Sequence, residues 1–290
     1  MKRKRLLHIH TLLADNWGLI AKLISLDPQL ECIYTLTASE MESLLKLSPQ
    51  KAQRLYHYLH STSSFSIEEE LRNQDIFHIT IWDKNYPVLL KEITDPPFVL
   101  YGKGNATLLN HTHMLAIVGT RQPSTNGINS LHYILRNLLR EDWVTVSGLA
   151  YGIDINAHIT TLEQGRSTIA VLGGGLSHIY PLANYKALQK WNQNLLLLSE
   201  YPPSYTPQKW YFPKRNRIIS GLSRGVLIVE AQERSGSLIT ADCALDQNRE
   251  VFALPGPIHL SSTVGSNRLI QQGAKLVVNS ADIVEELTRN

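Results

Sequence analysis

The segment 201–224 is the first part of the sequence whose residue types suggest chemistry. It contains cations without a single aspartate or glutamate, and aromatic residues lie between them: Lys209, Lys214, Arg215, Arg217 and Arg224, with Tyr201, Tyr205, Trp210, Tyr211 and Phe212. Cations attract phosphates, and aromatic faces stack on unpaired bases at about 1–3 kcal/mol per base. The pattern favours binding of a single-stranded nucleic acid. The alternative is a loop that packs on the protein while its cations face solvent.

Runs of small residues follow four of the predicted strands. They are Gly119-Thr120-Arg121, Ser147-Gly148, Gly173-Gly174-Gly175 and Ser235-Gly236-Ser237. In an open parallel sheet, ligands bind beyond the carboxyl ends of the strands. Small residues let backbone N–H groups approach an anion, and the helix that follows adds a favourable dipole. The runs together predict a phosphate-binding rim at one edge of the sheet.

Three side chains near these turns have predicted roles. Arg121 emerges from the first strand end, where its forked guanidinium can grip a phosphate; a salt bridge to a carboxylate is the alternative. Asn216 either binds a phosphate or caps a helix that opens near Arg217. Asp154 is expected to cap or orient its helix-opening turn rather than act as a base.

Several motifs of enzymes and cofactor-binding proteins do not occur in the sequence. There is no GxxxxGK[ST] loop, which argues against a nucleotide-driven motor, and Gly173–Gly175 lacks the last glycine of GxGxxG. No GxSxG elbow is found. The pairs His8/His10 and His111/His113 lack a third ligand. We therefore expect no cofactor and no metal site.

A nucleoside monophosphate hydrolase is the competing enzymatic hypothesis, because the same glycine turns could hold one phosphate and a ribose. Such an enzyme needs a carboxylate, and Glu230 at the end of the fifth strand is the best placed general acid or base. No second carboxylate pairs visibly with it, so a structural role is favoured for Glu230.

The turns lie in a region where short aliphatic runs alternate with helix-length segments. This alternation begins after Met114 and is typical of a parallel sheet covered by helices on both faces. A helix is predicted around residues 128–139. The predicted strands are Leu115–Val118, Val144–Val146, Thr168–Leu172, Leu195–Ser199, Val226–Glu230, Val251–Leu254 and Leu276–Val278. The fold class is α/β, with a doubly wound, mostly parallel sheet.

The start of the chain has a different residue pattern from the sheet region. Residues 6–73 carry apolar side chains at helical spacing, and Ser48-Pro49 is a typical helix start. We expect a small helical packing domain. The alternative is a phosphate-backbone-binding role for the basic residues Lys2–Arg5.

The pattern divides the chain into three parts. The helical domain covers 1–75, and an extended connector over 76–110 is interrupted by Asp95-Pro96-Pro97, which disfavours helix. The sheet domain covers 111–290, and its last predicted helix is Ala281–Leu287.

Composition is that of a globular protein of a reducing compartment. The 290 residues are 43% hydrophobic and 18% charged, and a net charge of +3 is too balanced to imply a nucleic-acid partner by itself. Cys32 and Cys243 show no CxxC spacing, which argues against a disulfide framework and a zinc ribbon. No run approaches the roughly 18 apolar residues of a spanning helix, and no export signal follows the basic start. We expect a cytoplasmic protein without a membrane partner.

Seven short motifs follow one another between residues 110 and 280. They are Val118-Gly119-Thr120-Arg121, Ser147–Asp154, Ala157-His158, Ser199-Glu200-Tyr201, Phe212–Ser220, Ser235–Ala241 and Leu254-Pro255-Gly256. In this order they resemble the motifs of the DprA/Smf family of DNA-processing proteins. The N-terminal helices resemble the SAM-like or helix-hairpin-helix module of such proteins.

This resemblance implies a recombination mediator on an extended Rossmann-like fold, and not an enzyme. Such a protein binds incoming single-stranded DNA in natural transformation, protects it and helps to load RecA. The rim and the family's pattern together predict the DNA contacts Gly119, Thr120, Arg121, Ser147, Gly148, Lys186, Phe212, Lys214, Arg215, Asn216, Arg217, Ser235, Gly236 and Ser237. Lys186 is included because family members often place a lysine near the turn that begins here at Tyr180-Pro181.

The resemblance also bears on assembly. Family members dimerise through the late part of the sheet domain, which makes Leu269 and Ile270 candidates for a homodimer contact; core packing is the alternative for both. Many members end with a winged-helix domain, and we expect none in this chain.

Overall fold

Strands and helices alternate along most of the chain. The computed structural model describes residues 1–288. The strands are β1 (Phe77–Thr80), β2 (Val99–Gly104), β3 (Met114–Val118), β4 (Val144–Ser147), β5 (Thr168–Val171), β6 (Leu195–Ser199), β7 (Gly225–Ile228), β8 (Glu250–Ala253) and β9 (Lys275–Leu276). The helices are α1 (Lys2–Leu13), α2 (Trp17–Leu26), α3 (Ala38–Leu45), α4 (Pro49–Ser61), α5 (Ser64–Asn73), α6 (Val88–Lys91), α7 (Thr125–Leu138), α8 (Ile153–Glu163), α9 (Leu182–Leu188), α10 (Tyr211–Leu222), α11 (Gly236–Asp246), α12 (Val264–Gln271) and α13 (Ala281–Thr288).

The strands of the described residues form one sheet in the order β1-β2-β6-β5-β4-β3-β7-β8-β9. The pairs β1/β2 and β2/β6 are antiparallel, and the others are parallel. From β3 the chain winds outward to β6 on one side and then returns to β7 on the other. The winding direction therefore reverses between β3 and β7. A crevice forms at such a switch point, outside the carboxyl ends of the two strands.

The seven strands predicted after Met114 are confirmed, some with ends shifted by one or two residues. All five residues of β3 and all five of β6 are buried, because helices cover both faces of the sheet. The predicted α/β class with a mostly parallel, Rossmann-like sheet is confirmed.

Residues 76–110, predicted as an extended connector, supply the two antiparallel strands. Tyr101 of β2 pairs in register with Ser199 of β6, and its side chain is fully buried. The connector residues are thus part of the sheet. The domain limits at residues 75 and 110 stay predictions.

The N-terminal helices share a core with the sheet. As predicted, Ser48 is the N-cap of α4, and its Oγ accepts from the Lys51 N–H at 3.4 Å. One hydrophobic cluster contains Leu6 of α1, Leu55 of α4 and Leu197 of β6. Deleting the helices would therefore expose the part of the sheet formed by residues of β2, β5 and β6 in this cluster. Among the described residues, no helix combines the length and the apolar character needed to cross a bilayer.

Candidate functional site

The turn after β3 places Arg121 at the carboxyl edge of the sheet. Thr120 N–H donates to the Glu230 carbonyl at 2.7 Å, and Ile153 N–H donates to the Thr120 carbonyl at 3.1 Å. A Cβ at position 119 would lie 2.7 Å from Ile153 Cγ1, so only glycine fits there without movement. The Arg121 side chain is exposed and has no ion pair or hydrogen bond with other described residues. Its guanidinium is available to a ligand.

A cavity of about 940 Å³ opens at this crevice. This volume is in the range of ligand sites. The predicted residues that line it are Gly119, Thr120, Arg121, Phe212, Arg215, Asn216, Ser235, Gly236 and Ser237. The predicted residues outside its lining are Ser147, Gly148, Lys186, Lys214 and Arg217. The structure thus brings most of the predicted residues to one place.

The N-terminus of α11 forms one wall of the cavity. Ser235 is the N-cap residue, but its Oγ hydrogen-bonds the Ser237 Oγ at 2.6 Å and does not cap the helix. The first turn contains no acidic residue, and a Cβ built on Gly236 would meet no atom within 4 Å other than those of its chain neighbours and its own helix backbone. An open helix N-terminus of this kind attracts anions through its dipole and its N–H groups.

Arg215 lies in the cavity wall and is held by the protein itself. Its side chain reaches back to β5, where Nη1 donates to the Val171 carbonyl at 2.5 Å and to the Gly148 carbonyl at 2.6 Å. Burial lowers the pKa of Arg215 to about 10, although Asp154 opposes this effect. Arg215 therefore stays charged at neutral pH, adds positive potential to the cavity and fixes α10 on the sheet.

Arg217 points away from the cavity into a buried ion pair. Its Nε donates to Asp95 Oδ2 at 2.8 Å, and its Nη2 donates to Glu200 Oε2 at 2.5 Å. Arg217 is 8% exposed and Glu200 is 6% exposed. These contacts tie α10 to the end of β6 and to the segment before β2, and they leave little of Arg217 for a ligand.

Lys214 and Asn216 have different neighbours. Lys214 is exposed, and its Nζ donates to the Asp15 carbonyl at 3.2 Å. Asn216 Nδ2 donates to the Gly236 carbonyl at 3.2 Å, so it joins α10 to the first turn of α11. The helix begins at Tyr211 and not near Arg217, so the alternative of Asn216 as a helix cap is wrong.

Ser147 and Gly148 support the cavity from behind. Ser147 is fully buried, and its Oγ donates to the Ile117 carbonyl at 2.6 Å. Gly148 N–H donates to Asp154 Oδ2 at 3.1 Å, and a Cβ at Gly148 would lie 2.2 Å from Arg215 Nη1. Asp154 orients this turn, in line with the role predicted for it. Burial raises the pKa of Asp154, against the attraction of Arg215.

Most aromatic residues of the segment 201–224 pack inside the protein. Tyr201 stacks on Tyr211 with ring centroids 4.0 Å apart, and both are buried. Tyr205 is half-buried. Two rings remain for a ligand: Phe212, half-buried in the cavity wall, and Trp210, which is 63% exposed.

Four other predicted residues have the following positions. Lys186 is exposed on α9. Glu230 is buried, and its carboxylate accepts from Ser124 N–H at 2.9 Å and from Ser124 Oγ at 2.5 Å, so it anchors the start of α7. Leu269 is 8% exposed and packs in the core, and Ile270 is half-buried beside it.

The histidine pairs do not form metal sites within the described residues. His8 and His10 lie on α1, a helix rather than a strand, and each hydrogen-bonds a tyrosine hydroxyl. His111 pairs with Asp142. Among the described residues, Asp154 is the one carboxylate that lines the cavity. Its Oδ2 already accepts a hydrogen bond from the Gly148 N–H.

Lys209 and Tyr180 also line the cavity and were not among the predicted contacts. Lys209 is exposed and has no ion pair with other described residues. The sequence feature that pointed to Lys209 was its position in the segment 201–224, which contains no acidic residue. Tyr180 meets Phe212 edge-on, with ring centroids 6.0 Å apart, and no sequence signal pointed to it.

A family model, DNA recombination-mediator protein A, matches residues 77–288. The chain belongs to this family. A similar curated protein is the DNA processing protein DprA of Bacillus subtilis, 49% identical over 216 residues, which are 74% of this chain and 73% of the relative. The resemblance stated from the sequence is thereby confirmed.

Two solved structures of this family are similar in fold. DprA of Streptococcus pneumoniae is 36% identical with a TM-score of 0.83, and the match covers 99% of this chain and 98% of that chain. DNA processing protein A of Helicobacter pylori, described for its single-stranded-DNA binding mode, is 33% identical with a TM-score of 0.66. That match covers 74% of this chain and 96% of the other.

Proposed function

We propose that this chain binds single-stranded DNA at the carboxyl edge of its sheet and acts, without catalysis, as a recombination mediator. The supporting observation is the cavity between β3 and β7, which places exposed Arg121 and Lys209 beside the N-terminus of α11. These cationic groups and N–H groups can bind phosphates, and the half-buried ring of Phe212 can stack on a base. The single-stranded-DNA binding mode described for the Helicobacter pylori relative supports the same ligand.

The finer role is proposed from the family resemblance. The bound strand would be incoming DNA in natural transformation, protected in the cytoplasm and delivered to RecA. A homodimer contact through Leu269 and Ile270 stays a prediction. Since Leu269 is buried in the core, Ile270 is the member of the pair with more surface left for a partner.

Titration of labelled oligo-dT and of a duplex of equal length at two salt concentrations tests the proposal. We expect tighter binding of the single strand and a steep loss of affinity with salt. Equal affinity for the duplex would contradict it. Incubation with nucleoside monophosphates should release no free base, and release would favour a hydrolase instead.

Substitution Arg121→Ala is expected to weaken binding of every single-stranded sequence alike. One lost phosphate contact lowers the slope of log affinity against log salt by about 0.7. The slope is measured by fluorescence anisotropy over a salt series. Arg121→Lys keeps the charge and should retain most of the affinity. An alanine variant that binds like the wild type would show that the site is misassigned.

Substitution Gly236→Asp is expected to change binding and stability in opposite directions. A carboxylate in the first turn of α11 stabilises the helix by about 0.3–1 kcal/mol. The same charge repels phosphate in the cavity at a cost of about 1 kcal/mol, which raises the Kd roughly fivefold. Urea unfolding and oligo-dT titration measure the two effects.

Gly236→Asn has a similar shape and no charge, so it is the matched control for the Gly236→Asp variant. If the aspartate and asparagine variants bind oligo-dT equally well, the N-terminus of α11 does not face DNA.

A further inference from the structure

The lining of the cavity is chemically mixed. Arg121 and Lys209 supply exposed cations, whereas Tyr180, Pro207 and Phe212 supply rings. A ligand that uses both kinds of group combines an anion with a flat, largely apolar part. Nucleotides of an unpaired strand have this combination, since each carries a phosphate and a base whose face is not covered by a partner strand.

The Phe212 ring packs directly on the turn after β5. A Cβ added to Gly173 in this turn would lie 2.8 Å from Phe212 Cδ1, and a Cβ added to Gly174 would lie 2.7 Å from Pro207 Cγ. Neither glycine lines the cavity. The glycine run that was predicted to bind phosphate therefore makes room for two rings of the cavity wall, and Phe212 is held in place by the backbone beneath it.

Tyr180 is the exposed ring beside Phe212. The two rings meet edge-on, with centroids 6.0 Å apart and planes inclined at 64°. In an edge-on pair the partner covers at most one face of one ring, so ring faces stay open to another planar group. Tyr180 is 56% exposed, and its hydroxyl makes no hydrogen bond with other described residues. Its ring thus fills little of the protein core and is available to a ligand in the cavity.

We infer that Tyr180 is a base-binding residue, which together with Phe212 holds one unpaired base of the strand whose phosphates bind Arg121 and Lys209. The edge-on rings form a corner, and a base that stacks on one of them lies against the other. A base inside a duplex is paired and stacked on its neighbours, and it reaches such a corner only by leaving the helix. Tyr180 therefore helps to select single strands over duplexes. The inference rests on the proposed function, since the strand is the one bound in the cavity.

The test compares oligo-dT of about 20 nucleotides, longer than common single-strand sites, with an oligomer of the same length and the same deoxyribose-phosphate backbone that has no bases. The wild type should bind oligo-dT more tightly. Tyr180→Ala should lose about five- to tenfold of the affinity for oligo-dT, near the lower end for one stacked base because Phe212 remains. It should bind the abasic oligomer like the wild type. Its salt slope should not change, because no phosphate contact is lost.

Tyr133→Ala is the matched control. Tyr133 lies on α7, is also 56% exposed and does not line the cavity. Its removal should leave the affinities for both oligomers unchanged. Tyr180→Phe keeps the ring and should keep the wild-type ratio of the two affinities. Unfolding in urea checks that all three variants are folded.

The abasic oligomer separates contact with a base from an effect on the shape of the cavity. If Tyr180→Ala weakens the binding of both oligomers equally, or of neither, the inference is overturned although phosphate binding in the cavity stands. The same holds if the wild type binds the two oligomers with equal affinity. If the wild type binds neither oligomer, the proposed function itself fails.

Discussion

Replacement of Arg217 by alanine is expected to destabilise the fold by about 3–5 kcal/mol, the usual cost of removing one partner from a buried ion pair. Arg217 and Glu200 are both largely buried, and the substitution leaves the Glu200 carboxylate in the interior without its counter-charge. It also cuts the link to Asp95. Urea unfolding at pH 7 measures the loss.

The double variant Arg217→Met/Glu200→Leu separates the ion pair from packing. Apolar residues of similar volume in place of both partners should recover most of the loss, because neither charge then remains buried. Lys214→Ala is the control, since an exposed side chain on the same helix should change stability by no more than about 0.5 kcal/mol. A small effect of Arg217→Ala would mean that water reaches Glu200 and that the pair does not fix α10.

Arg215 and Arg217 show why a dense basic motif does not by itself define a DNA contact. Lys214, Arg215 and Arg217 are basic residues of one short motif, so the sequence alone gives no reason to assign them different roles. On α10, however, their side chains point in different directions. Arg215 and Arg217 face inward, where they meet partners that are remote in sequence, such as the Val171 carbonyl and the Asp95 carboxylate. No pattern in the sequence around Arg215 or Arg217 predicts these partners.

The parallel strands β3 to β8 were predictable because each is a short run that is almost wholly buried. The short strand β9 is an exception, since Lys275 is half-buried and Leu276 is exposed. Arg121 was predictable as part of the cavity because it follows directly from the end of β3, and strand ends of a parallel sheet meet at one edge. β1 and β2 were harder to recognise. They are antiparallel strands at one side of the sheet, and the proline-rich stretch between them reads as a linker.

The site contacts that were not predicted depend on packing. Lys209 lies just before α10 and Tyr180 lies in the turn before α9, and both line the cavity although they are remote from each other in sequence. The tyrosines of the segment 201–224 instead turn to the core, where Tyr201 and Tyr211 stack. Aromatic residues beside cations are therefore consistent both with base stacking and with a packed loop. The structure shows packing for Tyr201 and Tyr211, and it leaves the rings of Phe212 and Trp210 accessible.

Acidification from pH 7 to pH 5 is expected to cost about 2 kcal/mol of folding free energy for each of two buried histidines, His10 and His158. Burial lowers the pKa of both to about 3, and for His158 the Arg215 charge adds to the effect. A histidine in the unfolded chain titrates near 6.5. Between these values the unfolded chain binds one more proton per site, so stability falls as the pH falls.

Urea unfolding of the wild type, His10→Gln and His158→Gln at both pH values isolates this contribution. Each variant should lose about 2 kcal/mol less than the wild type over the same interval, whatever its stability at pH 7. The difference is needed because burial raises the pKa of Asp154 and Glu200, and protonation of those carboxyls at low pH acts in the opposite direction. A variant with the wild-type pH dependence would show that its histidine already binds a proton in the folded protein. The contact of His158 Nδ1 with Thr168 Oγ1 at 2.7 Å would then have to be assigned to the imidazolium.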